Sequence, residues 1–252
     1  AWFNDQLIPA NTPGAKTIHA GLPYWTAALY LHQRRGPSLD RGLRWQEMME
    51  LFRGRSALTD EENPFTEEIK DSTVLRRKGG ILMTYLASLI GPQELERIIG
   101  EFLTQWKYRD APYPTAQDFL AHLRSRLPEE YHPQLSDIFE HITTWQLGVV
   151  DAEAEPTSDN RWKLTATIEA KKFRTTGWGE RSEVALETPI TIASFRGRNF
   201  SKEDLIHSEL KTDIPDGRSE ITLILDERPT RFGIDPYLLL PDRNPHDNVR
   251  PV

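Results

Sequence analysis

TIHAGLPYWTAALYL, residues 17–31, is the stretch from which the fold of this 252-residue chain is predicted. Three apolar residues in it recur at the spacing of one helix face: Leu22, Trp25 and Leu29. This period predicts an amphipathic helix that enters a core. Pro23 fits the first turn, because its missing N–H has no partner there. The helix is therefore expected from about residues 20–23 to residue 33, with His19 just outside it.

The helical period continues through the first 147 residues. Further helices are expected at about residues 40–54, 71–90, 92–103, 116–123 and 133–145, each with apolar residues on one side. Gly91-Pro92 separates two of them, and Thr115 with Asp118 resembles a capping box. Gly79 and Gly80 cost stability inside a helix, so we expect another backbone to approach closely there.

The period of the apolar residues changes at about Gly148. Alternation over residues 162–170, 184–186, 190–192 and 221–225 predicts half-buried strands. Pro215-Asp216-Gly217 is expected to join residues 210–214 and 220–226 as a hairpin. The expected architecture is an all-helical domain, residues 1–147, followed by a small antiparallel Ig-like β-sandwich, residues 148–252.

Composition narrows the classes of function. The net charge is −7 without a basic block, which disfavours nucleic acid as a partner. The absence of Cys removes disulfides, Cys-based zinc sites and thiol catalysis. No apolar run approaches the length of a membrane span, so no direct span is expected.

A search for chemistry in the residues alone finds no site. No two of the seven His are spaced as a helical zinc pair, and there is no phosphate loop or nucleophile elbow. Asp242, Asn244 and Asp247 are interpreted as turn residues, because the rest of a calcium loop is absent.

Several short motifs occur in an order typical of one family. They are Trp2-Phe3, Ala10-Asn11 to Gly14-Ala15, Ala20 to Tyr24, Arg76 to Gly79, Pro112 to Thr115, Asp137 to Phe139, Gly233 to Tyr237 and Asp242 to Asn248. In this the chain resembles the C-terminal part of zinc aminopeptidases of the membrane alanyl aminopeptidase (gluzincin) family. The bacterial branch fused to ABC-transporter-type permeases is the most similar.

The resemblance implies a zinc site that this chain does not reproduce. The H-E-x-x-H motif would lie upstream of Ala1, and Ala20 stands where the family has its third zinc ligand, a Glu. Arg76 replaces the Tyr that stabilises the oxyanion, whereas Lys78 matches the family's Lys. His19 is the neighbour that could compensate, but it points in a different helical direction. No catalytic, cofactor or metal residue is therefore assigned in this chain.

The leading hypothesis is a non-catalytic, degenerate or truncated, aminopeptidase-like module of a larger bacterial protein. The alternative is an aminopeptidase that acts on peptide N-termini and whose zinc site is completed by an upstream H-E-x-x-H. A third, plainer option is a purely structural or interaction role for the sandwich, as in many cell-surface domains. The implied partners are a peptide or the transporter part of a longer parent, anchored in a bacterial membrane, of which this is a soluble portion.

Overall fold

The structure is a computed structural model that describes residues 14–35, 37–67 and 69–252. For residues 28, 29, 31–35, 37–40 and 72 it describes the backbone without the side chain. The family-like motifs at Trp2-Phe3 and Ala10-Asn11 therefore lie outside the described residues. Chain packing divides the molecule into two compact units. The predicted domain boundary between residues 147 and 148 stays a prediction.

The helices lie close to where the sequence predicts them. A π-helical turn, Thr17–Gly21, leads into α1 (Leu22–Arg35), α2 (Pro37–Ser56), α3 (Ser72–Ile90), α4 (Pro92–Trp106), α5 (Ala116–Arg126) and α6 (His132–Phe139). None of the helices in the described part of the chain combines the length and the hydropathy that crossing a bilayer requires.

Local capping explains the boundaries of α3 and α5. The Asp71 carboxylate accepts the N–H groups of Thr73 and Val74 at 2.8 and 2.7 Å, so it satisfies two free donors of the first turn of α3. Thr115 and Asp118 bond reciprocally, which confirms the predicted capping box at α5. Both ends are therefore determined by residues within a few positions of the boundary.

The last predicted helix is wrong beyond its first half. It ends at Phe139, and β1 (Thr143–Pro156) begins four residues later. Ile142 keeps the helical spacing, which extended the prediction to Trp145. The run of β-branched and aromatic residues at 143–145 favours a strand instead, and all three side chains are buried.

Eight strands form two antiparallel sheets within the described residues. The strands after β1 are β2 (Trp162–Thr175), β3 (Arg181–Val184), β4 (Ile190–Phe195), β5 (Leu205–Lys211), β6 (Gly217–Leu225), β7 (Arg231–Ile234) and β8 (Val249–Pro251). In one sheet β2 is bonded to β1, β3 and β6, and in the other the order is β5-β4-β7-β8. Each sheet therefore combines strands that are distant in sequence.

The predicted hairpin between residues 210–214 and 220–226 is wrong. β5 pairs with β4, from Lys211 opposite Ile190 onward, whereas β6 pairs with β2, from Gly217 opposite Ala170 to Leu225 opposite Trp162. Gly217 has a φ of 81°, and the chain passes there from one sheet to the other. The turn residues lie between two strands as predicted, but those strands, β5 and β6, pair with β4 and β2 and not with each other.

The expected architecture, an all-helical domain followed by a β-sandwich, is wrong. The two compact units interleave along the chain. One unit comprises the described part of Ala1–Arg34, with Glu47–Thr143 and Arg174–Arg181; the other comprises the described part of Arg35–Gln46, with Thr144–Phe173 and Ser182–Val252. Helical and strand segments thus occur in both units, because each segment packs where its apolar face is buried and not in sequence order.

Each unit has its own aromatic core. In the first, the Phe119 ring lies 5.0 Å from Phe102 and 5.8 Å from Phe139, with both pairs edge to face. In the second, the fully buried Trp145 donates its indole N–H to Thr188 Oγ1 at 3.1 Å. The site residues predicted from the family resemblance all belong to the first unit.

Candidate functional site

The π-helical turn Thr17–Gly21 carries Ala20, the position that the predicted resemblance assigns to the third zinc ligand. Thr17, Ile18 and Gly21 are buried, whereas His19 and Ala20 are partly exposed. The Thr17 hydroxyl donates to the Phe65 carbonyl at 2.8 Å, which holds the start of the turn. π-helical turns are rare and occur frequently at functional sites.

The π-helical turn packs against α3, the helix that carries Arg76 and Lys78. A methyl group on Gly21 would lie 3.8 Å from Leu75 Cδ1, which is an ordinary contact distance. Ala20 and Arg76 are the sequence neighbours of these two residues. The fold therefore brings together the two elements that carry the altered family positions, and Arg76 itself is exposed.

Lys78, the third position that the predicted resemblance singles out, is buried. Its side chain is 1% exposed, and its Nζ donates to Glu62 Oε1 at 3.2 Å. Arg55 Nε donates to the other oxygen of Glu62 at 2.7 Å. Burial lowers the pKa of the Lys78 amine, and the Glu62 carboxylate opposes that change. These contacts tie α2, the loop before α3 and α3 itself together, which is a structural role.

A second polar cluster surrounds Tyr24. Its hydroxyl donates to Glu47 Oε1 at 3.0 Å and accepts a bond from Arg77, which also pairs with Glu50 at 2.5 Å. Burial, followed by the Glu47 charge, raises the pKa of Tyr24 to about 12, although Arg77 lowers it. No sequence motif indicates this cluster. Its one local signal is the Glu47–Glu50 spacing of three, which places both carboxylates on one helix face.

Gly79 and Gly80 make room for aromatic rings. The expected close approach of another backbone at these glycines is therefore wrong. A Cβ at Gly79 would lie 3.6 Å from Phe65 Cζ, and one at Gly80 would lie 3.3 Å from Tyr24 Cε1. The small residues therefore let the Tyr24 and Phe65 side chains lie over α3, beside Lys78, whose Nζ is 5.0 Å from the Phe65 ring.

Glu62 also borders a cavity of about 170 Å³ in the first unit. Charged side chains form much of its lining: Asp60, Glu61, Glu62, Lys70 and Asp71. Asp71 and Glu62 are engaged in the α3 cap and the Lys78 network, and Lys70 pairs with Asp60 at 3.6 Å. Most of these charged side chains are therefore already engaged in ion pairs or hydrogen bonds with other protein groups.

Several histidines and the C-terminal polar residues have structural contacts. His122 and His132 contact the carbonyls of Ile98 and Arg124 at 3.0 and 3.1 Å. The Asp242 carboxylate accepts the Asn244 N–H at 2.9 Å, and the Asp242 backbone forms an isolated β-bridge with Trp145. Among residues 14–35, 37–67 and 69–252, no three His, Asp or Glu side chains converge to hold a metal ion.

Comparison with known proteins adds no family to this geometry. No protein-family model matches the chain, and a search of curated proteins finds no match. The resemblance to zinc aminopeptidases therefore remains a hypothesis that depends on the motifs themselves.

Proposed function

We propose that this chain is a non-catalytic, aminopeptidase-like module of a larger bacterial protein linked to a membrane or transporter. One contrast carries the proposal. Lys78, which matches the family, is fully buried and bonded to Glu62, whereas Ala20 and Arg76, which depart from it, stand at the reactive positions. The residue with a structural role is kept, and the two with chemical roles are replaced.

The replacements change the chemistry in a definite way. The methyl group of Ala20 has no lone pair for a metal ion, whereas a Glu in its place would supply a carboxylate. The Arg76 guanidinium carries a fixed positive charge, which opposes a dication nearby, and it lacks the neutral hydroxyl donor that an oxyanion site uses. The supported role is therefore binding or scaffolding and not hydrolysis.

Two measurements test the proposal. We expect calorimetric titration of this chain with zinc to give no tight stoichiometric binding. We also expect a longer natural chain, with the residues upstream of Ala1 and zinc supplied, to leave an aminoacyl fluorogenic substrate uncleaved. Chelator-sensitive cleavage by the longer chain would overturn the proposal and support the alternative, an aminopeptidase completed by an upstream motif.

A matched pair of variants tests whether zinc binding depends on a carboxylate at position 20. Ala20→Glu in the longer chain restores the missing carboxylate, and Ala27→Glu adds one on exposed surface of α1. If the scaffold of the metal site is retained, the Ala20 variant is expected to bind zinc more tightly than the Ala27 variant. Equal affinities would show that the π-helical turn does not keep the family's ligand position.

A further inference from the structure

The turn at residues 235–240, in the second unit, is organised by one buried carboxylate. Asp235 is 2% exposed, and its side chain accepts the N–H of Leu239 at 2.9 and 3.0 Å and that of Leu240 at 3.0 Å. Its own N–H donates to the Thr191 carbonyl at 2.7 Å, and its carbonyl accepts the Asn248 amide at 3.4 Å. The turn therefore depends on the acceptor atoms of Asp235.

This turn also holds the first part of α2. Arg41 Nε donates to the Pro236 carbonyl at 2.7 Å, and Arg44 Nη1 donates to the Tyr237 carbonyl at 2.9 Å. Both acceptors directly follow Asp235 and are presented by the turn that it pins. If the turn opens, both arginines lose these acceptors.

The segment after the turn is attached differently. Residues 241–247 are bonded to β1: Trp145 donates to the Pro241 carbonyl at 2.9 Å, Leu147 to the Asp242 carboxylate at 2.8 Å and Val149 to the Asp247 carbonyl at 2.8 Å. These bonds do not involve Asp235. Opening of residues 235–240 is therefore possible while residues 241–247 stay on the sheet.

We propose that the turn at residues 235–240 is a proton-sensitive clasp, which holds residues 41–46 of α2 while Asp235 is protonated and loosens when Asp235 ionises. A buried carboxylate has lost the water that stabilises its charge, and the N–H groups of Leu239 and Leu240 replace that water only in part. Ionisation therefore favours the open turn, in which the carboxylate is hydrated.

Burial and the charges around Asp235 determine the pH at which its carboxyl group ionises. Burial raises its pKa to about 7; the N–H bonds from Leu239 and Leu240 and the Arg44 charge lower it, and Asp242 raises it. Arg41 interacts with both Asp235 and Arg231. Further titratable groups on residues 235–247 include Tyr237, His246 and Asp247. The His246 ring lies 4.0 Å from the Trp45 ring.

The direction of the pH dependence follows from linkage. The pKa of Asp235 is about 7 in the closed turn and near the ordinary 3.8 once hydrated, so closure is most stable below pH 3.8. That stability is lost as the pH rises from about 4 to about 7. In this window the opening constant grows up to about tenfold per pH unit.

Hydrogen exchange on the full chain tests the clasp. After correction for intrinsic exchange, we expect the opening constant of the Leu239 and Leu240 amides to be about 50-fold larger at pH 7 than at pH 5, since Asp235 is half ionised in the closed turn at pH 7. Amides of residues 41–46 should follow the same profile. Asp235→Asn keeps an acceptor but cannot ionise, so its opening constant should be independent of pH.

A control and a second measurement keep the test decisive. Asp71→Asn, a variant of another carboxylate that accepts two backbone N–H bonds, should retain the full pH dependence at residues 239 and 240. A pH-independent wild type, or an Asp235→Asn variant with unchanged dependence, overturns the proposal. The ¹³C titration of the wild-type Asp235 carboxyl needs no variant: a midpoint near 7 supports the clasp, and one below about 5 overturns it.

Discussion

Lys78, which was singled out only by the predicted family resemblance, has a structural role in the fold. Its amine is removed from water and shares the Glu62 carboxylate with Arg55, so two cations and one anion meet in the interior of the first unit. Removing Glu62 would leave two cations without compensation, whereas removing Lys78 leaves the Glu62–Arg55 pair and loses one buried hydrogen bond to a charged group. The network is therefore sensitive to single substitutions.

We predict that Lys78→Met lowers the free energy of unfolding by about 2 kcal/mol, the usual contribution of a hydrogen bond to a charged group, since Glu62 keeps Arg55 as its other partner. Lys70→Met is the matched control, because Lys70 pairs with Asp60 at 3.6 Å with both side chains 61% exposed. That exposed pair should contribute less than about 1 kcal/mol. Urea unfolding followed by circular dichroism measures both, and equal costs would contradict the structural role of Lys78.

At the scale of elements, α3 is the helix whose sequence and packing are most closely linked. Its two adjacent glycines weaken the helix, but the Phe65 and Tyr24 rings use the space that they leave. Tyr24 also bonds Glu47 from α2. The position of its ring is thus determined by polar contacts as well as by packing.

The two glycines are predicted to respond differently to Ala. Gly79→Ala should stabilise the protein by about 1 kcal/mol, because the new methyl group would lie 3.6 Å from Phe65 with no displacement. Gly80→Ala should gain less, since Tyr24, 3.3 Å away, has to shift against its bond to Glu47. Thermal unfolding of the two variants tests this order. A larger gain from the Gly80 variant would show that Tyr24 is free to move.

β1 is the element that pattern reasoning missed. Its first residues are buried almost continuously and only its later part alternates, so the period-2 signal starts late. The preceding helix has apolar residues at positions 138, 139 and 142, which continue a helical period past the true end of α6 at Phe139. Short apolar runs fit both structures, and burial against distant partners decides between them.

At the scale of the whole molecule, segments that are adjacent in sequence belong to different compact units. Residues 174–181 belong to the first unit, although strands of the second unit flank them. Gly177 links residues 174–181 to the first unit. Its carbonyl accepts the Glu62 N–H at 3.0 Å, and a Cβ at this position would lie 2.5 Å from the Glu62 carbonyl oxygen. Only a residue without a side chain permits this approach.

We predict that Gly177→Ala destabilises the first unit by about 1–3 kcal/mol, the usual cost of overpacking a close contact. Gly100→Ala is the control: Gly100 lies in α4 with no atom within 4 Å of the added methyl, so it should stabilise by about 1 kcal/mol. Urea unfolding monitored by circular dichroism measures the change in the free energy of unfolding for both variants, including its sign. A neutral Gly177 variant would show that residues 174–181 adjust without loss.

The sequence by itself determined the local features: the positions of most helices, the capping box at Thr115, the interruption at Gly91 and the identities of Ala20 and Arg76. These depend on interactions within a few residues, which periodicity and capping chemistry describe. The tertiary structure alone decided the partner of β6, the burial of Lys78 with Glu62, the rings over Gly79 and Gly80 and the interleaving of the two units. Those depend on which distant segments exclude water together, and that choice is made by the whole chain and not by any local pattern.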